Sequence, residues 1–449
     1  MSALRKARIF LRETMPERAF EVRVIARTRF SRIAGRKSAG VLIGPANSAN
    51  QATAWAGSLN RQEEGSSKDG SIHKSESLRI SSDPTSEWFA TDYEFATAAR
   101  NDLNVRVEIL DKIFAPKRAV LIESLRPIFA FRKGRQGFAP QHSVDDLLLL
   151  KRMGKKVGAV FHGSDIRDPQ AHADRNPYSP FRKSVISDQE SQESQQSQQS
   201  KQSKKGHVEL RDEALDLLKK STVQRALLPM IRKHSIPLFV TTPDLFLEVP
   251  DATWLPAVID IEKFAPIAER SPIFTAPKLR VLYIPSRSWI KSSDLILPVL
   301  QKLADEGVIE FKNWLENGAV KHDQMPGIIE QSDVVVDQFI GLFGVFALEA
   351  AAAGRIVLTY IDPAHSSHPT PPHINVTPHS LEEAIRRVAA ERGSTQMQAQ
   401  RISVKDGEPS LEFTSVSCAE GIMAGIEFVH HYHDGKYSAE IIQRSLRLK

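Results

Sequence analysis

The chain has a single cysteine, Cys418, in 449 residues. An internal disulfide framework and a multi-cysteine metal site are therefore both excluded, and a reducing compartment, the cytoplasm, is the expected location. Long hydrophobic runs are missing as well, since no stretch approaches the ~20 uninterrupted apolar residues of a membrane-spanning helix. The N-terminus, MSALRKARIFLRETMPERAF, mixes Arg with Glu and never develops an apolar core followed by small residues, so it does not read as a secretory signal. Also lacking is a run of like charge large enough to imply nucleic acid. The net charge is +6, but Lys and Arg are mostly accompanied by acids and no nucleic-acid-binding module is recognisable. The first 37 residues are the exception. There Arg18, Arg23, Arg27, Arg29, Arg32, Arg36 and Lys37 gather around Phe20, Val22, Val24, Ile25 and Phe30. Two readings stay open for this segment: a solvated basic arm, or a peripheral contact with an anionic membrane surface.

What is present fits two cores. The apolar fraction of 41% and the length suit two domains of roughly 200 residues each. AGVLIG, AVLIES and VGAVFH are short buried-strand patterns separated by helical sequence, which predicts parallel β-α-β units. From Leu279 the alternation is cleaner, with strands LRVLYIPS, VIEFKNW, DVVVDQF and RIVLTYI interleaved with helices, as in a doubly wound domain. Residues 60–86 and the Ser/Gln-rich stretch 187–206 are too polar to build core and are expected to be surface loop or disordered insertions. SLEEAIRRVAAER reads as an amphipathic helix with Ser380 as N-cap and Glu383 completing a capping box. The expected organisation is a basic extension over 1–38, a first Rossmann-like domain over 39–260, a linker over 261–278, a second Rossmann-like domain over 279–420, and a C-terminal helical segment over 421–449 returning to the first domain.

Ligands of parallel sheets sit beyond the carboxyl ends of the strands, so four loops are the candidate sites. Pro285 to Lys291 carries Arg287 and Lys291 beside a helix start, a pattern suited to a diphosphate or, equally, to an ordinary exposed loop. The loop Ile340 to Gly344 opens the helix VFALEAAAAG, on which Glu349 is either a hydrogen-bond acceptor for a ribose diol or a solvent-facing helical acid. His162, Asp165 and Arg167 follow the strand VGAVF and could orient a substrate near a reacting carbon. The fourth loop runs from Gly44 through Asn47 to Asn50; its lone glycine lacks the spacing of a dinucleotide fingerprint. The histidines from His365 to His379 and from His430 to His433 lack the helical pairing of a metal site, so no metal is expected.

These loops, in the segments GPANSANQ, LIESLRPIF, FHGSDIRDP, IPSRSWIK, SDVVVDQFIGLFGVFALEAAAAGRIVLTYI and VHHYHDGKYSAEII, resemble the family 4 type of retaining GT-B glycosyltransferases, in particular a group of bacterial members. The resemblance runs from about Ala39 to Leu446. It implies two Rossmann-like domains facing a cleft, a nucleoside diphosphate sugar as donor and co-substrate, no bound metal or other cofactor, and a glycan, lipid or small-molecule acceptor. By the same resemblance Arg287 and Lys291 match the cations that hold the donor diphosphate, and Glu349 matches the second Glu of the Glu-x7-Glu motif that grips the ribose. Gly344, Val345 and Phe346 match the backbone turn presented to the donor, His162 the first-domain histidine facing the sugar, and Gly44 to Asn50 the loop that closes over donor and acceptor. Two positions depart from the pattern. Gly341 stands where the first Glu of the motif belongs, with Asp337 the nearby carboxylate that would compensate or serve only the strand end, and Asn50 stands where relatives commonly have Gly.

Overall fold

The computed structural model describes residues 26, 40–64, 74–81, 89–97, 109–114, 116–128, 141–181, 201–286, 288–314, 320–362, 368–392, 394–405 and 408–448. The basic extension, residue 26 apart, lies outside them, as do Arg287 and residues 187–200. Among the described residues no helix is long and apolar enough to cross a membrane.

Strands β1 (Val41–Gly44), β2 (Glu76–Ser81), β3 (Tyr93–Ala96), β4 (Ala119–Glu123), β5 (Lys156–Phe161), β6 (Leu238–Val240) and β7 (Thr253–Trp254) form one sheet in the order β3-β2-β1-β4-β5-β6-β7. Every neighbouring pair is parallel. A second parallel sheet holds β8 (Leu279–Leu282), β9 (Ile309–Phe311), β10 (Val334–Val336), β11 (Ile356–Thr359) and β12 (Ile374–Asn375) in the order β12-β11-β10-β8-β9. The chain is thus α/β with two Rossmann-like sheets. The order reverses between β1 and β4 in the first sheet and between β8 and β10 in the second, and such reversal points open a crevice at the carboxyl ends of the strands.

Helices cover both faces, which is why the central strands β1, β4, β6, β10 and β11 read as near-continuous apolar runs rather than alternating. In the first half these are α1 (Gln51–Glu64), α2 (Gln141–Arg152), α3 (Gly163–Ile166), α4 (Pro169–Arg175) and α5 (Lys201–Lys233). On one face Leu42, Ile122 and Phe161 pack with Leu147 and Ile231; on the other Ile43, Leu121 and Phe239 pack with Trp55 and Leu59. Adjacent strand residues divide between the two faces, as the pleat requires. In the second half come α6 (Ile261–Phe264), α7 (Pro266–Arg270), α8 (Ser293–Asp305), α9 (Met325–Glu330), α10 (Val345–Ala352) and α11 (Leu381–Glu391). The alanines of α10 let it lie close on the sheet, with Ala350 and Ala352 wholly buried beside Val335 and Val357.

The last helices tie the halves together. In α12 (Cys418–His433) Val429 joins the second core, whereas Ile441, Ile442 and Leu446, in and just after α13 (Lys436–Ser445), complete the first core beside Trp55. Gly435 makes the turn between them at φ +96°, where a Cβ would meet Ser58 Oγ at 2.0 Å. Ser438 Oγ donates to Pro256 O at 2.9 Å, and the Ile259 N–H donates to His433 O at 2.9 Å. A second bridge comes from α4 and its C-cap, where the His172 ring meets Ile340 O at 2.9 Å and Asn176 Nδ2 donates to Phe339 O at 2.9 Å.

Several expectations are corrected. Within 60–86, Glu76–Ser81 is no insertion but strand β2, with Leu78 and Ile80 in the core. Its alternating polar residues hid a strand whose other polar side chains are satisfied locally, as when Ser77 Oγ donates to Asp92 Oδ2 at 2.9 Å. Of the stretch 187–206, residues 201–206 are the first turns of α5. The segment read as linker, 261–278, opens with α6 and α7, whose Phe264 and Ile267 are buried in the second core. Ser380 forms no capping box; its hydroxyl accepts from the Thr377 N–H at 2.9 Å. Finally, an antiparallel hairpin of β13 (Gln396–Lys405) and β14 (Glu408–Ser417) stands where no strand was expected.

Candidate functional site

Between the two sheets lies a cavity of about 810 Å³, counting its open mouth. The first half contributes Ala49 and Gln51 after β1, His162 after β5, and Thr242 and Asp244 after β6; the second contributes Gly341, Leu342 and Val345 after β10. Both sets leave the carboxyl ends of parallel strands, where the fold favours a ligand.

The first-half wall is organised by Glu123, the last residue of β4, which has no exposed surface. Its Oε2 accepts the N–H of Ala46 at 3.1 Å and of Asn47 at 2.7 Å, and its Oε1 accepts the N–H of Ser48 at 3.2 Å. The loop can present three amides to one carboxylate because Asn47, Ala49 and Asn50 adopt left-handed backbone, with φ 52°, 48° and 63°. Asparagine tolerates that region better than most residues. Gly44 serves packing instead: a Cβ there would lie 2.3 Å from Leu78 O on β2.

Glu123 Oε1 also meets His162 Nε2 at 3.0 Å, and the His162 ring stacks on Trp55 with centroids 6.0 Å apart. Burial by itself would raise the Glu123 carboxyl, but the bonds and charge of His162 and the loop amides outweigh it and hold the group below the usual range. Burial would likewise lower the His162 imidazole, yet its bond to Glu123 wins and raises it. Asp165 is a positioning group: it accepts the Ser124 hydroxyl and, at 3.0 Å, the His162 N–H. Arg167 grips Asp244 Oδ2 through Nε at 3.1 Å and Nη2 at 2.5 Å. Arg167 and Asp165 therefore stand behind the cavity wall.

On the second half Lys291 Nζ pairs with Asp337 Oδ1 at 2.6 Å, and the Gly344 N–H at the start of α10 donates to Asp337 Oδ2 at 3.3 Å. A Cβ on Gly344 would fall 2.9 Å from Asp337 and 3.2 Å from Lys291. This close approach accounts for glycine there. Glu349 is not solvent-facing; it is buried and accepts from His322 at 2.7 Å. That bond raises the His322 imidazole against the opposing effect of burial. Gly341 takes φ +92°, a backbone conformation that glutamate rarely adopts.

The structure brings His162, Gly341 and Val345 to one cavity. Lys291, Asp337, Gly344, Phe346 and Glu349 do not line it, nor do Gly44, Asn47, Asn50, Asp165 and Arg167. Sequence reasoning missed Glu123, His322 and Asp244 as site residues. The signal for Glu123 is an acid closing the apolar strand AVLI; for His322 and Asp244 no local pattern exists, because their partners are distant in sequence. Among the described residues no three His, Cys, Asp or Glu side chains stand together as a metal site would require. No family model matches this chain, and no curated protein is similar enough to match it.

Proposed function

We propose that the chain is a GT-B-type glycosyltransferase of the retaining family 4 kind, moving a hexosyl group from a nucleoside diphosphate sugar to an acceptor hydroxyl in glycan or glycolipid synthesis. The observation that supports this best is the shared cavity, where a histidine bound to a buried carboxylate faces the first turn of α10 across the reversal points of two parallel sheets. The donor diphosphate would lie at the α10 start, where backbone amides and the helix dipole favour negative charge. Lys291, with Arg287 from outside the described residues, would neutralise charge developing on the leaving group, such preorganised donors contributing ~3 kcal/mol each. With Nε2 bound to Glu123, His162 would turn Nδ1 to the transferred sugar. Glu349 would accept from the ribose hydroxyls in competition with His322. The acceptor's class, glycan, lipid or small molecule, stays open in this reading.

The test is release of nucleoside diphosphate from a panel of nucleotide sugars. Turnover that His162→Ala abolishes while thermal stabilisation by the nucleoside diphosphate persists supports the reading; neither release nor stabilisation with any donor removes it. A second reading, a catalytically silent homologue that binds a sugar nucleotide or a partner enzyme, is favoured by two observed pairs and by one departure from the family pattern that the resemblance implies. Lys291 is already paired with Asp337, Glu349 with His322, and Gly341 replaces the first Glu of the motif. Stabilisation by the nucleotide without release from any donor is its signature.

A further inference from the structure

A second groove, about 610 Å³ with its open mouth, runs over the carboxyl ends of β1 to β4 and is lined by Ala46, Arg79, Ser81, Thr97, Arg126 and Pro127 among others. Ala46 lines this groove and Ala49 the main cavity, so the loop after β1 borders both. The Ala46, Asn47 and Ser48 amides of that loop go to Glu123. Two guanidinium groups and two hydroxyls thus converge beside the reversal point of the first sheet.

The cations differ in what holds them. Arg79 is fixed by Glu94, to which Nε donates at 3.0 Å and Nη2 at 2.5 Å. Arg126 is exposed, and among the described residues no carboxylate pairs with it. Its backbone is anchored all the same: the Arg126 N–H donates to Glu123 O at 3.1 Å after Ser124 and Leu125 turn through left-handed backbone at φ 56° and 45°. Arg126 therefore presents, among the described residues, a charge with no paired carboxylate on a constrained turn, close enough to His162 for its charge to oppose protonation of that ring. A concave polar site with an unmatched cation attracts anions and concentrates them.

We propose that this groove binds the phosphate group of a phosphorylated second substrate, with Arg126 as its charge partner and Arg79, Ser81 and Thr97 completing the cradle. Guanidinium matches phosphate oxygens in a planar fork, which the hydroxyls supplement. The assignment of that substrate as the sugar acceptor rests on the transferase reading; the phosphate site itself does not. The phosphate could be carried by a soluble polyol phosphate or by a lipid headgroup.

Binding is measured on the full chain without donor, so that loss of transferase activity and loss of this site are read separately. The probes are glycerol 3-phosphate, neutral glycerol, and phosphatidylcholine vesicles with and without phosphatidate. Titration should show glycerol 3-phosphate bound and glycerol not, with Arg126→Gln weakening binding roughly ten- to hundredfold, the size of one lost charge-assisted bond. Binding confined to phosphatidate vesicles and lost in Arg126→Gln would keep the site and assign it to a lipid. An unchanged melting temperature in Arg126→Gln serves as the folding control for this exposed residue. No binding of either phosphate probe, or binding that Arg126→Gln leaves unchanged, overturns the proposal.

Discussion

Glu123 Oε1 lies 3.0 Å from His162 Nε2, so the last residue of β4 holds the side chain that follows β5. The same carboxylate takes three amides of the loop after β1. One buried acid thus couples three strand ends, and any reaction at His162 occurs on a ring whose orientation Glu123 fixes.

The pair has a defined pH window. The folded His162 sits above its ordinary 6.5, so stability from its protonated form is fully present below 6.5 and is lost as pH rises through the folded value. Glu123 sits below its ordinary 4.5, so its contribution is present above 4.5 and lost as pH falls through the folded value. The pair should stabilise the first domain most between these two ordinary values. Glu123→Gln removes the charge and turns an amide NH₂ toward groups that donate, at a cost of about 1–3 kcal/mol. His162 in that variant should titrate at lower pH than in wild type, since burial then acts with less opposition. An NMR titration of His162 that does not move would show that Glu123 does not govern it.

Gly44→Ala should destabilise without touching any ligand. Its Cβ would stand 2.3 Å from Leu78 O, a backbone atom held in the parallel register of β1 and β2. Overpacking of this kind costs about 1–3 kcal/mol, so the melting temperature should fall by several degrees. An unshifted melting temperature would mean that β2 moves freely aside.

How far the sequence could be read follows from where each interaction lies. The apolar strands and the α8 to α11 alternation announce the second sheet because their signal is local and periodic. Strand β2 is hidden because Glu76, Ser77 and Arg79 carry its polar pattern, while their partners lie further on, Asp92 just before β3 and Glu94 within it. Sequence reasoning missed the β13–β14 hairpin although it was legible: Asp406-Gly407, a two-residue turn signal, stands between the alternating QMQAQ and the run SLEF. At the site, Lys291 and Glu349 read as available groups, and only the fold shows that Asp337 and His322 reach them from 46 and 27 residues away. A sequence displays which residues can be charged; it does not display which charges are already answered.

The Glu349 to His322 bond gives a second ligand test. If Glu349 accepts from a ribose diol, nucleoside diphosphate affinity should fall in the order wild type, Glu349→Gln, Glu349→Ala, by about 1.5–3 kcal/mol for the truncation. His322→Ala should not weaken binding, because it releases the carboxylate to the ligand. The 2′,3′-dideoxy nucleotide should gain little further penalty from Glu349→Ala, since both changes delete one interaction. Additive losses in calorimetric titrations would remove Glu349 from the ribose site.

Lys291 and Asp337 give the most discriminating experiment, because the fold changes what a loop substitution should do. A lysine in an exposed loop could be truncated with no structural effect. Here the Lys291 side chain is 15% exposed and Asp337 1%, with 2.6 Å between their charged atoms. Lys291→Ala would leave a buried carboxylate whose remaining described donor is the Gly344 N–H at 3.3 Å. Breaking one side of a buried pair costs about 3–5 kcal/mol, whereas replacing both partners is often close to neutral. Denaturant unfolding should therefore find Lys291→Ala strongly destabilised and the Lys291→Met/Asp337→Asn double variant much less so. The double variant then isolates function from folding: with the start of α10 intact but the cation gone, transfer should drop by a factor of ten or more through loss of leaving-group neutralisation. Full turnover in a stable double variant would make the pair an architectural brace across the β8/β10 reversal point, and the donor diphosphate would need another cation.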